Sequence, residues 1–176
     1  MKWVTGSLLA LAAAAVLASG VVAASSGTPH ACHLLTKGLV EDYFNTDMTL
    51  QSNVPKSCDW QSRIPKTHKG AILGLTTFAR LENAKTVIAY ACHQRKGLKQ
   101  LTIPGADKAC GAQAFTGLCL TPPKGEDPKD WCLWDVKISF RVGATVGSLE
   151  LASLKIYSLN NLKNGAALAK KLLKRW

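Results

Sequence analysis

Hydrophobic and polar positions change period several times along this chain of 176 residues, and each change marks an element. The clearest stretch runs from Trp134 to Val142, where Trp134, Val136, Ile138, Phe140 and Val142 alternate with Asp135, Lys137, Ser139 and Arg141. A period of two predicts an antiparallel strand with one wet face. Gly143 then turns the chain, and Val146 to Tyr157 supplies a partner strand. Between His30 and Asn45, Leu39, Val40, Tyr43 and Phe44 fall on one face at helical spacing, with Thr36 placed to cap and Glu41 and Asp42 outside. After a turn-rich span to Pro55, Cys58-Asp59-Trp60-Gln61 and Ala71 to Phe78 read as two paired strands separated by the basic loop Arg63 to Lys69. Leu81, Ala84, Val87, Ile88, Ala91 and Cys92 recur at three and four, which predicts a second helix ending near Gly97 with Cys92 on its buried side. Leu101 to Pro123 reads as loop, followed by the acidic turn Gly125 to Pro128. Leu162, Gly165, Ala166, Ala169, Leu172, Leu173 and Trp176 form one face of a terminal helix.

This order predicts an α+β domain, an antiparallel sheet with an N-terminal helix, a middle helix and a C-terminal helix packed on it, held by disulfides. The chain is long enough for one domain with a real core and too short for two with a linker. No stretch rich in Gly, Ser or Pro divides it, and no internal repeat is present.

The N-terminus narrows the compartment. Met1-Lys2-Trp3 precedes an uncharged apolar stretch ending in Val22-Ala23-Ala24, the small-residue pattern that signal peptidase accepts. Residues 1–24 are therefore expected to be a signal peptide, 25–31 a flexible leader and 32–176 the single domain. A retained anchor is the competing reading, but the stretch is rich in alanine, which inserts weakly. Six cysteines, Cys32, Cys58, Cys92, Cys110, Cys119 and Cys132, follow the signal. An even number in an exported protein predicts three disulfides, whose pairing the spacing leaves open among about 15 arrangements. No C-x-x-C pair occurs, so zinc has no support, and His30-Ala31-Cys32-His33 could bind a soft metal only if Cys32 were free. Neither a metal nor a cofactor is expected.

Charge then points to a partner. The chain carries 22 Lys and Arg against 11 Asp and Glu, a net +11, and loss of residues 1–24 lowers this only to +10. Residues 151–176 hold six basic side chains and no acid, and residues 83–106 hold Lys85, Arg95, Lys96 and Lys99, again with no acid. If the two stretches met, Arg95, Lys96, Lys99, Lys163, Lys170, Lys171, Lys174 and Arg175 would form a surface for an anionic partner. An envelope polymer, a lipid head group or an acidic protein would suit it. Nucleic acid suits it less, because aromatic residues are not interleaved with the basic ones. The terminal helix could also lie on a membrane, but its Ala- and Gly-rich apolar face is better suited to packing on a sheet.

Catalytic patterns are weak. His30, His33, His68 and His93 are the only histidines, there is no G-x-S-x-G elbow, and Walker, Rossmann and EF-hand patterns are missing. Glu126, Asp127 and Asp130 sit in a turn with Lys124 and Lys129, as in a solvated loop.

Cys32-His33-Leu34-Leu35-Thr36 followed by Cys58-Asp59-Trp60 resembles a family of small exported actinobacterial proteins, many of them lipoproteins, classed as domains of unknown function. Ile103-Pro104-Gly105-Ala106-Asp107-Lys108-Ala109 is similar to that family's Pro-Gly-x-Gly-Asp-x-Ala segment, and 167–173 adds a further block near the terminus. The resemblance implies a Cys32 to Cys58 disulfide, with the other four cysteines forming further bridges. Ala106 stands in place of the second glycine, and the lipidated cysteine of the family lipoproteins is missing. This chain would then be released, or held at the cell wall by charge.

Together these readings lead to the expectation of a monomeric, secreted or extracytoplasmic, noncatalytic domain that binds an anionic partner. A nuclease-like enzyme or toxin using His and Lys is the first alternative. The second is a protein-binding inhibitor or effector presenting the loop Leu101 to Pro123.

Overall fold

A computed structural model describes residues 29–63, 68–93, 97–154 and 160–176. The expected signal peptide, Arg95 and Lys96 lie outside the described residues. The fold is α+β. Seven strands form one antiparallel sheet in the order β1-β2-β3-β7-β6-β5-β4, from β1 (Met48–Val54), β2 (Ser57–Ser62), β3 (Gly70–Thr77), β4 (Lys99–Leu101), β5 (Lys108–Cys119), β6 (Cys132–Val142) and β7 (Thr145–Ser153). Four helices accompany it: α1 (Ala31–Leu34), α2 (Lys37–Phe44), α3 (Leu81–Ala91) and α4 (Leu162–Leu173).

Alternation along the strands sorts their side chains onto two faces. Val136, Ile138 and Phe140 of β6, Leu149 and Leu151 of β7, and Ala71, Leu73 and Leu75 of β3 all point to one face and are buried. They pack with α1, α2 and α4 through Leu34, Leu35, Val40, Phe44, Leu168 and Leu172. Helix α3 lies on the other face, where Ile88 and Cys92 meet Cys110 and Val146. The N-terminal and terminal helices thus share one side of the sheet, and the middle helix takes the opposite side.

The expected helix over His30 to Asn45 is two helices. Leu35 leaves the helical region at φ −92° and ψ 75°, Thr36 is extended, and the Leu35 carbonyl accepts a hydrogen bond of 2.8 Å from the Trp60 indole instead of continuing the helix. Thr36 does occupy the N-cap position of α2, although its hydroxyl makes no capping bond. Ala31, assigned to the leader, is fully buried and opens α1. The turn-rich span before Pro55 contains β1, an edge strand of mostly exposed residues. The larger correction concerns Leu101 to Pro123: residues 108–119 are a strand that pairs with β6 as far as Cys119 and Cys132. Small residues at positions 109–112 hide its alternation, and positions 114–119 are exposed on both faces.

Three disulfides close the structure. Cys32–Cys58 ties α1 to β2, Cys92–Cys110 ties α3 to β5, and Cys119–Cys132 joins β5 to β6. The first is the pairing implied by the resemblance. Asn160, just before α4, is 2% exposed and fully engaged. It accepts from the Tyr43 hydroxyl at 3.1 Å and donates to the Trp134 carbonyl at 3.2 Å and the Ser153 hydroxyl at 2.9 Å. Its neighbour Asn161 caps α4 by accepting from the Asn164 amide at 2.9 Å. Burial pushes the Tyr43 phenol well above the ordinary tyrosine range. Among the described residues, no helix is long and apolar enough to cross a membrane.

Candidate functional site

Two surfaces carry chemistry, and they lie on opposite sides of the sheet. The first is the outer side of α4. Gly165, Leu168, Ala169, Leu172 and Leu173 face the sheet, and at helical spacing this leaves Lys163, Lys170, Lys171 and Lys174 on the solvent side, all exposed. Close packing explains the register. A side chain at Gly165 would strike Val136, at 2.8 Å from Cγ1, so α4 can dock only with its glycine inward and its lysines outward. Arg175 follows the helix and is also exposed, and none of these five cations takes part in an ion pair among the described residues. One acid stands nearby: Asp42 of α2 lines a groove of about 230 Å³ shared with Lys171. Trp176, whose terminal position would suit an interfacial anchor, is half-buried with its ring 6.2 Å from that of Phe140.

The second basic stretch divides. Lys99, on edge strand β4, is in register with Gly111, which lies beneath Leu162 at the start of α4. It therefore belongs to the same side as the α4 lysines. Lys85 is on α3, across the sheet, and pairs with Glu82 at 2.7 Å. The layer order thus places Lys85 apart from the α4 lysines and Lys99 on their side, while Arg95 and Lys96 lie outside the described residues.

The second surface was not foreseen. Helix α3 covers the sheet only near Cys110 and Val146, and beside it the open face forms a cavity of about 440 Å³. Asp59, Gln61, Gly70, Ile72, Glu150 and Ala152 contribute to its lining, as do His68, Lys69 and Leu133. Three strands supply them in register, Asp59 opposite Ile72 and Ile72 opposite Glu150. Asp59 Oδ1 is buried without a hydrogen-bond partner among the described residues, and burial holds the carboxyl above its usual range, with the Gln61 side chain partly opposing this. Glu150 pairs with Lys137 at 2.8 Å, and Lys137 also reaches Asp135 at 3.9 Å. The Lys69 ammonium is turned to the Phe44 carbonyl at 2.9 Å. Two signals for this site were in the sequence: a carboxylate between Cys58 and Trp60, and glycines spaced by four within a β-type run.

The histidines do not converge. His30 and His33 stack at 5.0 Å in the N-terminal region, His68 borders the cavity, and His93 is exposed after α3. Cys32 is committed to its disulfide. Among the described residues no three His, Cys, Asp or Glu side chains gather as metal ligands. No protein-family model matches this chain, and no curated protein sequence matches it significantly.

Proposed function

We propose that this protein is a secreted, disulfide-stabilised, noncatalytic domain that binds an anionic polymer at the cell envelope through the outer face of α4. The observation that carries this reading is the arrangement of Lys163, Lys170, Lys171 and Lys174 opposite the packed face of one helix, without ion-pair partners among the described residues. Unpaired surface lysines gain little for folding, yet a row of them attracts a polyanion by summing several kT of potential. Lys99 extends the row at the helix start, and Arg175 extends it at the end. The three disulfides suit an oxidising compartment, and the export signal and the resemblance to exported actinobacterial envelope proteins fit the same location.

Retention of the oxidised mature protein on isolated cell wall tests the reading. Retention should fall steeply as salt is raised from about 0.1 to 1 M, because the screening length shrinks from about 10 Å to about 3 Å. The triple variant Lys163→Glu, Lys170→Glu, Lys174→Glu should bind at least about tenfold more weakly while melting normally, since all three side chains are exposed. Retention independent of salt and of these substitutions would refute charge-driven attachment. Capture by anionic vesicles but not by wall polymer would reassign the partner to lipid head groups.

A further inference from the structure

We infer that the open half of the sheet's second face is a binding site for a small organic amine, an apolar body carrying one protonated nitrogen. The site is separate from α4, which lies on the other side of the sheet.

The glycines of β3 are the first ground. Gly70 and Gly74 flank Ile72 on the open face of an interior strand, where glycine lacks a side chain to pack and disfavours the extended state. Strand glycines are ordinarily explained by a bulge, a left-handed backbone or a crowded neighbour. None of these applies. The register of β3 with β7 is continuous from Gly70 to Thr77, and neither glycine has positive φ. A Cβ at Gly74 would meet nothing within 4 Å, and one at Gly70 only the Trp60 carbonyl oxygen at 3.5 Å, an ordinary contact. At Gly70, which lines the cavity, the remaining explanation is that another molecule approaches the backbone. Gly70 and its register partner Ala152 form the floor on which an apolar body would rest, with Ile72 and Leu133 beside it. Ile72 is 42% exposed on this face, apolar area that a bound molecule would cover.

The second ground is polar. Asp59 Oδ1, buried and lacking a partner among the described residues, is an acceptor that a donor on the ligand would complete. The charge around it selects the donor. Glu150 lines the same cavity, Asp135 is in register with Ala152, and Lys137 is held by both carboxylates. Lys69 at the rim donates away from the cavity, to Phe44. An anion would meet carboxylates, whereas an ammonium would form a charge-assisted hydrogen bond with Asp59. The cavity, about 440 Å³, falls within the size range of small-molecule sites.

The probe set is phenethylamine, hydrocinnamate and phenethyl alcohol, which share a body and differ in the charge of the head. Each is titrated into the oxidised protein while backbone amide shifts are followed by NMR. Phenethylamine should give saturable shifts at Asp59, Ile72, Glu150 and Ala152, the alcohol should bind about tenfold more weakly, and hydrocinnamate should not saturate. Asp59→Asn and Gly70→Val should each weaken amine binding by about tenfold or more in proteins that melt normally, and Lys170→Glu should leave it unchanged. Gly70→Val removes the floor and Asp59→Asn removes the charge, so failure of one variant to fold leaves the other to decide. Equal binding of amine and carboxylate, affinity unaltered in a folded variant, or no saturable shift up to about 10 mM amine would overturn the proposal.

Discussion

The helix-covered and open faces are built from the same strands, and a pair of glycines one register step apart shows how differently they are used. Gly147 of β7 faces the helices, opposite Phe140, and the Phe140 ring occupies the space its side chain would need. Gly74 of β3 pairs with the next residue, Ser148, faces the other way, and would meet nothing within 4 Å. On the covered face glycine is a requirement of packing. On the open face it leaves room that the folded chain does not use. Charge follows the same division: the open face keeps Asp59, Asp135, Lys137 and Glu150 at the surface, and the covered face buries Val136, Ile138, Leu149 and Leu151 completely.

Substituting the two glycines alike should give opposite outcomes. Gly147→Val forces the Phe140 ring out of a core in which it also contacts Trp176, and we expect a loss of about 3 kcal/mol or more, a large fraction of the stability of a domain this size. Gly74→Val replaces a poor strand former by a good one in open space and should stabilise by up to about 1 kcal/mol. Urea denaturation of the pair decides the matter, and losses of similar size at both positions would remove the contrast.

A cross-link should come next in size. Cys32–Cys58 holds α1 against β2, beside the point where Trp60 takes the Leu35 carbonyl. Cys58→Ser should cost about 2–5 kcal/mol, because the denatured chain is released from a closed loop and a polar oxygen is buried where Cys58 is now fully covered. An unchanged melting temperature would contradict a structural role for this bridge.

How far these features were legible follows from which interactions decide them. Strand β6 and helix α4 are strictly periodic because each has one face in the core and one in water, so β6 was read from alternation alone and α4 from its spacing. The break at Leu35 had no local signal: it depends on Trp60, 25 residues away, capturing a carbonyl that helix periodicity assigns to the helix. Strand β5 has no legible alternation because Ala109, Gly111 and Ala112 are small, and the side chains that cover Gly111 come from Leu162 and Leu101. The α4 lysines were legible as an outer face, but whether Lys85 joined them depended on which side of the sheet α3 takes, a matter of topology. The same holds for the cavity: a carboxylate beside Trp60 and glycines spaced by four are visible along the chain, but Asp59, Ile72 and Glu150 meet only through the β2-β3-β7 order.

The smallest expected effect bears most directly on the open face. Burial raises the Asp59 carboxyl above its ordinary value of 3.8, so the folded protein holds this proton more tightly than the unfolded chain does. Stability from this group is therefore full below the unfolded value and is lost as pH rises through the folded one, leaving an ionised, incompletely partnered carboxylate at neutral pH. Asp59→Asn removes that charge at similar size. It should raise the urea midpoint modestly at pH 7, a smaller change than any of the three substitutions above, because the group is partly solvated. The gain should close near pH 3, where wild type is itself protonated. A carboxylate retained for folding would show the reverse, with Asn less stable at neutral pH. If the variant is more stable at pH 7 and binds phenethylamine more weakly, Asp59 is kept for a ligand at some expense to the fold, as binding groups commonly are. In that case the two faces differ in purpose as well as composition: one is optimised for packing, and the other retains unsatisfied chemistry for an outside partner.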